Sequence, residues 1–358
     1  MAIIDKPTDY FDTKLHNGTG VAKTLAYDFE VDFYWTKMRN DVYPQNIFDS
    51  VRGNNLRLRA NTTNAEISAT NTVSFGNASG VSLGSDSSNY GTNKELTDAS
   101  AQATYVAWGW KAGTAFTNDA SATGIGSIDS TGSVNTTSGF SIISYTGNGT
   151  ANQSVAHGLG ATPKIILIKN RTTAGYWCMT NPRFVSVSDT NILYLQITAA
   201  EADDTNINGT TAPSSTVFGV DDYGAVNTSG NAHIAYCFTP IKGYSAMGTY
   251  VGNSSTNGTF VYTGMKPAWV MFRKAAGTGS WAIQDNKRTP FNVQQKSLFA
   301  NLADAETDSA NDAVDFLSNG FKFRSDTANY NTNGDTYIYM AFAEQPLVTS
   351  SGVPATAR

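Results

Sequence analysis

Three nine-residue runs decide the fold: Val31-Asp-Phe-Tyr-Trp-Thr-Lys-Met-Arg39, Pro163-Lys-Ile-Ile-Leu-Ile-Lys-Asn-Arg171 and Pro267-Ala-Trp-Val-Met-Phe-Arg-Lys-Ala275. Each is short, β-branched or aromatic, and alternates with the period of a strand. Phe33, Trp35, Lys37 and Arg39 share one face, as do Ile165, Leu167, Lys169 and Arg171, and Trp269, Met271 and Arg273. Each strand therefore starts in a core and delivers a cation where it emerges.

The same landmarks surround all three runs. Openers precede them: Leu15-His-Asn-Gly-Thr-Gly, Tyr145-Thr-Gly-Asn-Gly-Thr and Tyr250-Val-Gly-Asn-Ser-Ser. Aromatic-plus-basic segments follow, at Phe48 to Arg52, Trp177 to Arg183 and Trp281 to Arg288. Next come Asn61 to Glu66, Gln196 to Glu201 and Asn301 to Glu306. The closers are Tyr105-Val-Ala-Trp-Gly-Trp110, His233-Ile-Ala-Tyr-Cys-Phe238 and Tyr337-Ile-Tyr-Met-Ala-Phe342. Asn148 to Asn253 and Glu201 to Glu306 span 105 residues, while Lys169 to Arg273 and His233 to Tyr337 span 104. One period held across an entire unit is the signature of internal repetition.

The expected fold is all-β: three tandem repeats of an antiparallel β-sandwich, jelly-roll or lectin-like, with a small barrel as the alternative. Residues 1–111 form the first repeat with an N-terminal docking segment, 139–241 the second, 242–347 the third and 348–358 a tail. The intervening 112–138, rich in Gly, Ser, Thr and Asn, reads as a flexible joint. The second and third repeats abut and should form a stiff pair, with the first on a longer tether. No stretch sustains helical periodicity; Asn301 to Asp312 is at most one short surface helix.

Composition bounds the function. The 358 residues are 15% charged, with 24 basic against 29 acidic and 11% aromatic, which suits a packed core and argues against nucleic acid as the main partner. The opening Met1-Ala-Ile-Ile-Asp-Lys-Pro lacks the apolar core of a signal peptide, and no run approaches a membrane span, so no membrane insertion is expected.

Chemical motifs are sparse. Gly80-Val-Ser-Leu-Gly84 matches a hydrolase nucleophile pattern but lies in β sequence with no following helix and almost no histidine to serve it. Asn329 to Gly334 has a calcium-loop rhythm with Asn in place of Asp, and reads as a turn. Asp203-Asp204 and Asp221-Asp222 read as solvated loops, and His16, His157 and His233 as structural. Cys178 and Cys237 read as buried thiols, or as a pair facing each other across a sandwich. No catalytic residue, cofactor or metal is expected. Within each repeat the recurring charges suggest ion pairs Lys37–Glu66, Lys169–Glu201 and Arg273–Glu306, with independent solvated charges as the alternative. The loop aromatics Tyr90, Tyr223 and Tyr330 are candidate sugar-stacking platforms.

Several segments resemble a family of virion structural and tail-fibre-like proteins from marine tailed bacteriophages, of the cyanophage and pelagiphage type. They are Ile143-Ser-Tyr-Thr-Gly-Asn-Gly-Thr150, His157 to Arg171, Phe260 to Lys274, Ser318-Asn-Gly-Phe321 and Tyr337 to Pro346, with Lys6 to Leu15 similar to the family's start. The first repeat departs most, with Asp28-Phe-Glu-Val-Asp32 leading into its strand. The resemblance implies a virion component, assembled in the host cytoplasm, with no catalytic residues. The function expected is a tail-associated fibre or adhesin binding host surface polysaccharide, partnered by other virion proteins, as a homo-oligomer with a trimer favoured. The alternative is an architectural capsid decoration, head fibre or tail adaptor without a ligand, docked through Met1 to Asp12.

Overall fold

The computed structural model describes residues 3–96, 102–180, 182, 191–203 and 205–356. It is built from short strands in antiparallel sheets, and its helical turns are only three or four residues long, as at Gly224–Asn227, Ala310–Asp312 and Ala328–Asn331. The first unit holds β1 (Phe11–Asn17), β2 (Lys23–Ala26), β3 (Phe33–Met38), β4 (Asn46–Asp49), β5 (Leu56–Arg59), β6 (Ile67–Ser68), β7 (Val73–Asn77), β8 (Gly80–Leu83) and β9 (Thr104–Trp110). A hairpin follows, β10 (Thr114–Asn118) and β11 (Ser130–Asn135). The second unit holds β12 (Phe140–Thr146), β13 (Gln153–Ala156), β14 (Ile165–Asn170), β15 (Trp177–Thr180), β16 (Asn191–Tyr194), β17 (Ala202–Asp203), β18 (Val217–Val220) and β19 (Ala232–Phe238). The third holds β20 (Ser245–Val251), β21 (Phe260–Tyr262), β22 (Met265–Lys274), β23 (Ala282–Asp285), β24 (Lys296–Phe299), β25 (Thr307–Asp308), β26 (Val314–Leu317), β27 (Gly320–Phe323) and β28 (Thr336–Pro346).

The main sheets run β1-β9-β3-β4-β5-β6, then β12-β19-β14-β15-β16-β17, then β20-β28-β22-β23-β24-β25, one strand order used three times. In each, the last strand of the unit is inserted between the opener and the cation-bearing strand. Small sheets β2-β8-β7, β13-β18 and β21-β27-β26 accompany them.

Both faces of each main sheet are covered, so β3, β14 and β22 are buried at almost every position. One face carries Phe33 and Trp35, Ile165 and Leu167, or Trp269 and Met271, and all of these meet in a single apolar cluster. The other carries Tyr34, or Ile166 and Ile168, or Val270 and Phe272, each packed beneath its own unit's small sheet. The central cluster also takes Trp108 and Trp110, Tyr236 and Phe238, and Met340 and Phe342 from the three closers. Burying aromatic side chains from three sheets in one place stabilises the junction where the three units meet.

This arrangement corrects the tethered layout. The first unit is not on a leash, because it contributes to the same core as the other two. Nor is 112–138 a flexible joint: β10 pairs with β11, and β11 with the free edge of β12, giving the second unit an eight-stranded sheet. Serines and threonines that read as linker become a hairpin because the exposed β12 edge offers ladder hydrogen bonds. The N-terminal segment also packs inward: Ile4 is buried, Phe11 stacks on Phe342 at 5.1 Å, and Asp5 accepts from the Ser350 amide. Of the stretch read as a helix, only Ala310–Asp312 is helical.

Each opener is tied down by a buried asparagine just before the closing strand. The side-chain oxygens of Asn93, Asn227 and Asn331 accept from the amides of Thr19, Asn148 and Asn253. The glycines ahead of those amides face the carbonyl after each asparagine, where an added Cβ would lie 1.9 Å from Lys94 O at Gly18, 2.4 Å from Thr228 O at Gly147 and 2.2 Å from Thr332 O at Gly252. Gly147→Ala should therefore cost about 1–3 kcal/mol through overpacking against backbone, seen as a lower midpoint in urea unfolding. This register shifts the opener match by one residue. His16, not Leu15, takes the place of Tyr145 and Tyr250. His16 stacks on Tyr105 at 4.8 Å, Tyr145 on His233 at 5.1 Å and Tyr250 on Tyr337 at 4.9 Å. Two of the three histidines are thus interchangeable members of one repeated aromatic pair, and burial first of all holds both down to about 4, hence neutral.

Candidate functional site

Lys37, Lys169 and Arg273 do not bond to the glutamate of their own unit; instead, recurring charges link each unit to the next. Glu66 of the first unit accepts from Arg171 of the second at 3.0 Å (Nε) and 2.9 Å (Nη2). Glu306 of the third accepts from Arg39 of the first in the same two-pronged way, at 2.9 and 2.8 Å. Backbone bonds repeat the pattern at all three junctions: Glu66 N–H to Arg171 O at 2.9 Å, Glu201 N–H to Ala275 O at 2.8 Å, and Glu306 N–H to Arg39 O at 2.7 Å. First holds second, second holds third, and third holds first. The chain is a closed ring.

Lys37–Glu66, Lys169–Glu201 and Arg273–Glu306 are accordingly corrected. Lys169 Nζ donates to Thr63 O of the first unit and to Gly175 O, at 2.8 and 2.6 Å. Arg273 donates to Tyr194, Ile197 and Ala199 carbonyls of the second unit; burial pushes its guanidinium down to about 10, a shift that nearby Glu201 only partly offsets. Lys37 donates to Met38 and Asp41 carbonyls, with Asp304 and Glu306 of the third unit close by. Lys169 and Arg273 are thus bonded to the glutamate loop of the preceding unit, and Lys37 lies within electrostatic reach of that of the third. Within-unit partners of the glutamates exist but are other residues: Arg52 for Glu66 and Arg288 for Glu306, at 2.9 and 3.1 Å. Arg183, at the matching position of the second unit, lies outside the described residues.

Arg52 and Arg288 also bind Asp49 and Asp285, with both members of each pair fully buried. Those aspartates reach across junctions: Tyr236 Oη donates to Asp49 at 2.6 Å and Trp108 Nε1 to Asp285 at 3.1 Å. Burial alone would raise the carboxyls of Glu66 and Glu306, but Arg171 and Arg52, and Arg39 and Arg288, outweigh it and hold both below the usual range. The ring keeps its charges because each is multiply bonded.

Burial pushes the Lys37 and Lys169 ammonium groups down to about 8. A lysine depressed in the folded state loses its proton there first, so the unfolded chain binds more protons between pH 8 and the ordinary lysine value. Stability contributed by these lysines therefore rises with pH through that window. Lys169→Met should flatten the rise, measured as unfolding free energy against pH for both proteins, which cancels the opposing effect of Cys237, whose thiol burial pushes up to about 12.

Of the three candidate platforms, Tyr330 is withdrawn: it is buried and packs edge-on to Phe272 at 5.0 Å. Tyr90 is half-buried with the Arg57 guanidinium 4.4 Å over its ring. Tyr223 is half-buried and lines a groove of about 410 Å³ at the junction of the first two units, with Thr63, Gly175, Tyr176 and Gly224. Tyr176, missed from sequence, is 39% exposed and tilts against Tyr194 at 4.9 Å. Its place in a Gly-Tyr loop just ahead of the Trp177 landmark was the available signal.

The remaining motifs are structural. Gly80–Leu83 is strand β8, and Asn329 to Gly334 is a helical turn and bend. Asp221 caps the amides of Asn152 and Asp222, and His157 meets Ser214 O at 3.2 Å. Asp204 lies outside the described residues. Cys178 and Cys237 form no disulfide and lie on one face of one sheet, two strands apart, rather than across a sandwich. Among the described residues no cluster of three metal-ligating side chains occurs, and no helix is long and apolar enough to cross a membrane.

The fold defines the chain as an all-β protein of several antiparallel sheets. It belongs to the family described as a domain of unknown function (DUF7483), which matches residues 6–346, the whole ring in one span. No curated protein and no solved structure matches the chain.

Proposed function

We propose that this chain is a virion structural protein of a marine tailed bacteriophage. In this reading it is three tandem copies of one β-sandwich module, assembled in the host cytoplasm with other virion proteins, and serves at the tail as an adhesin for host surface polysaccharide. The observation that carries the ligand assignment is the groove holding Tyr176 and Tyr223 between the first two units. A concave site with aromatic walls suits a pyranose ring, whose apolar face stacks on them. The ring closure supports a particle role, since burial rather than exposed ion pairing holds the units together and salt screens it little.

An architectural role without a ligand is the second reading. It is favoured by the internal use of Tyr90 and Tyr330, which leaves the groove as a lone aromatic surface of this kind among the three candidates. Host-cell adsorption and glycan-array binding separate the two. The adhesin reading expects binding that Tyr176→Ala and Tyr223→Ala each abolish, and absence of binding by the wild-type chain would overturn it. Antibody labelling of intact particles on the tail supports the virion assignment, and particles that carry no label anywhere refute it.

A further inference from the structure

The small sheets end in three matching edge strands, and only one is open and uncharged. Among the named strands, β2, β13 and β21 are each laddered to a single neighbour, β8, β18 and β27. Their buried central residues correspond, since Leu25 opposes Val81, Val155 opposes Phe218 and Val261 opposes Phe321. In the second unit the outer edge is covered from within the chain. Ile128 bridges Val155 in parallel, the Ser127 and Ile128 amides donate to Ser154 O at 2.9 and 3.1 Å, and Ser130 Oγ donates to Ala156 O at 3.0 Å. This edge therefore accepts a strand.

In the third unit nothing in the described residues takes that place. Phe323 N–H donates to Thr259 O and Thr263 N–H to Asn319 O, so Thr259, Val261 and Thr263 face β27. Alternation then turns the amides and carbonyls of Phe260 and Tyr262 outward, at the positions where Ser154 and Ala156 are bonded in the second unit. Phe260 and Tyr262 are 41% and 60% exposed. Beyond Tyr262 a largely apolar groove of about 440 Å³, lined with Gly243, Pro346, Leu347 and Val348 and bordered by the exposed Lys242, leaves room beside the edge.

The first unit's edge is guarded by charge, with Lys23 in β2 and exposed Asp28 and Glu30 just beyond it. From Gly252 to Gly264 the third unit's edge carries no charged residue at all. Native edges are normally blunted by a charge, a proline or a cover, and within its own strand and among the described residues this one has none of them.

We infer that β21 pairs antiparallel with β21 of a second copy of this chain, closing an isologous dimer. With the two-fold axis at Val261, Phe260 of one copy opposes Tyr262 of the other. Each outward amide then meets the other copy's outward carbonyl, and the opposed rings form cross-strand aromatic pairs on the solvent face. Two neutral strands meet without like-charge repulsion, and the pairing closes on itself. This inference does not depend on the virion reading.

The test is sedimentation velocity of the full chain through the micromolar range. A species of twice the 38.2 kDa chain mass is expected. Phe260→Pro removes an outward donor without touching the β27 ladder, and should weaken the dimer by about tenfold or more in Kd. Tyr262→Lys removes both cross-strand aromatic pairs and sets two like charges diagonally across the seam, and should do the same, which keeps the test decisive should the proline variant misfold. Thr24→Pro, on the matching edge of β2, should leave the dimer intact. A wild-type chain that stays monomeric, a dimer that survives Phe260→Pro and Tyr262→Lys in folded protein, or open-ended polymers would each overturn the inference.

Discussion

Asp285→Ala is expected to cost about 3–5 kcal/mol of unfolding free energy, the range for leaving one member of a buried ion pair uncompensated. Asp285 accepts from the Arg288 guanidinium at 2.6 Å, from the Lys287 and Arg288 amides, and from Trp108 of the first unit. The variant strands the Arg288 charge at 0% side-chain exposure and orphans an indole N–H across the junction. Glu306 remains beside Arg288 at 3.1 Å and limits the loss. Denaturant titration reads the effect as a shifted midpoint, and a loss below about 1 kcal/mol would show that the pair is solvated, as exposed pairs are.

Trp269→Ala should be as costly, about 3–5 kcal/mol, because the ring is fully enclosed and its cavity is walled by three sheets that cannot collapse independently. Trp269 touches Trp110 at 5.7 Å and Trp108 at 6.3 Å from the first unit, besides Phe342 at 5.8 Å from its own. The distribution of the loss is as diagnostic as its size. Amide exchange should accelerate in β3 and β14 as well as in β22, because the three sheets share one core. Acceleration confined to the third unit would mean that the units open independently.

Much of this was legible in the sequence. Phe33-Tyr-Trp-Thr-Lys fixes both a strand and its two faces, and the 104–105-residue spacing marks corresponding positions of the second and third units. Closure was not legible. Cations at the strand ends recur with Glu66, Glu201 and Glu306 in every unit, so the sequence pattern is the same whether a glutamate meets the cations of its own unit or those of the next. Only the placement of the sheets breaks that degeneracy. The hairpin at 114–135 was hidden for a different reason, since its strands form only because β12 presents an edge. Tyr330 follows turn-forming residues, which suggested a loop tip, whereas the Ala328–Asn331 turn tucks its ring beneath β22. Local chemistry determined strands and faces; the partners across junctions depended on three sheets meeting.

The most direct test of the ring is a double-mutant cycle on Arg39 and Glu306, residues 267 positions apart that a linear row of units would never bring together. The Arg171–Glu66 pair serves as the reference, having the same two-pronged geometry between consecutive units. A closed ring predicts a favourable coupling at both pairs of about 0.5–3 kcal/mol, as expected for residues in direct contact. Coupling at Arg171–Glu66 with none at Arg39–Glu306 would contradict closure and return the molecule to an open row.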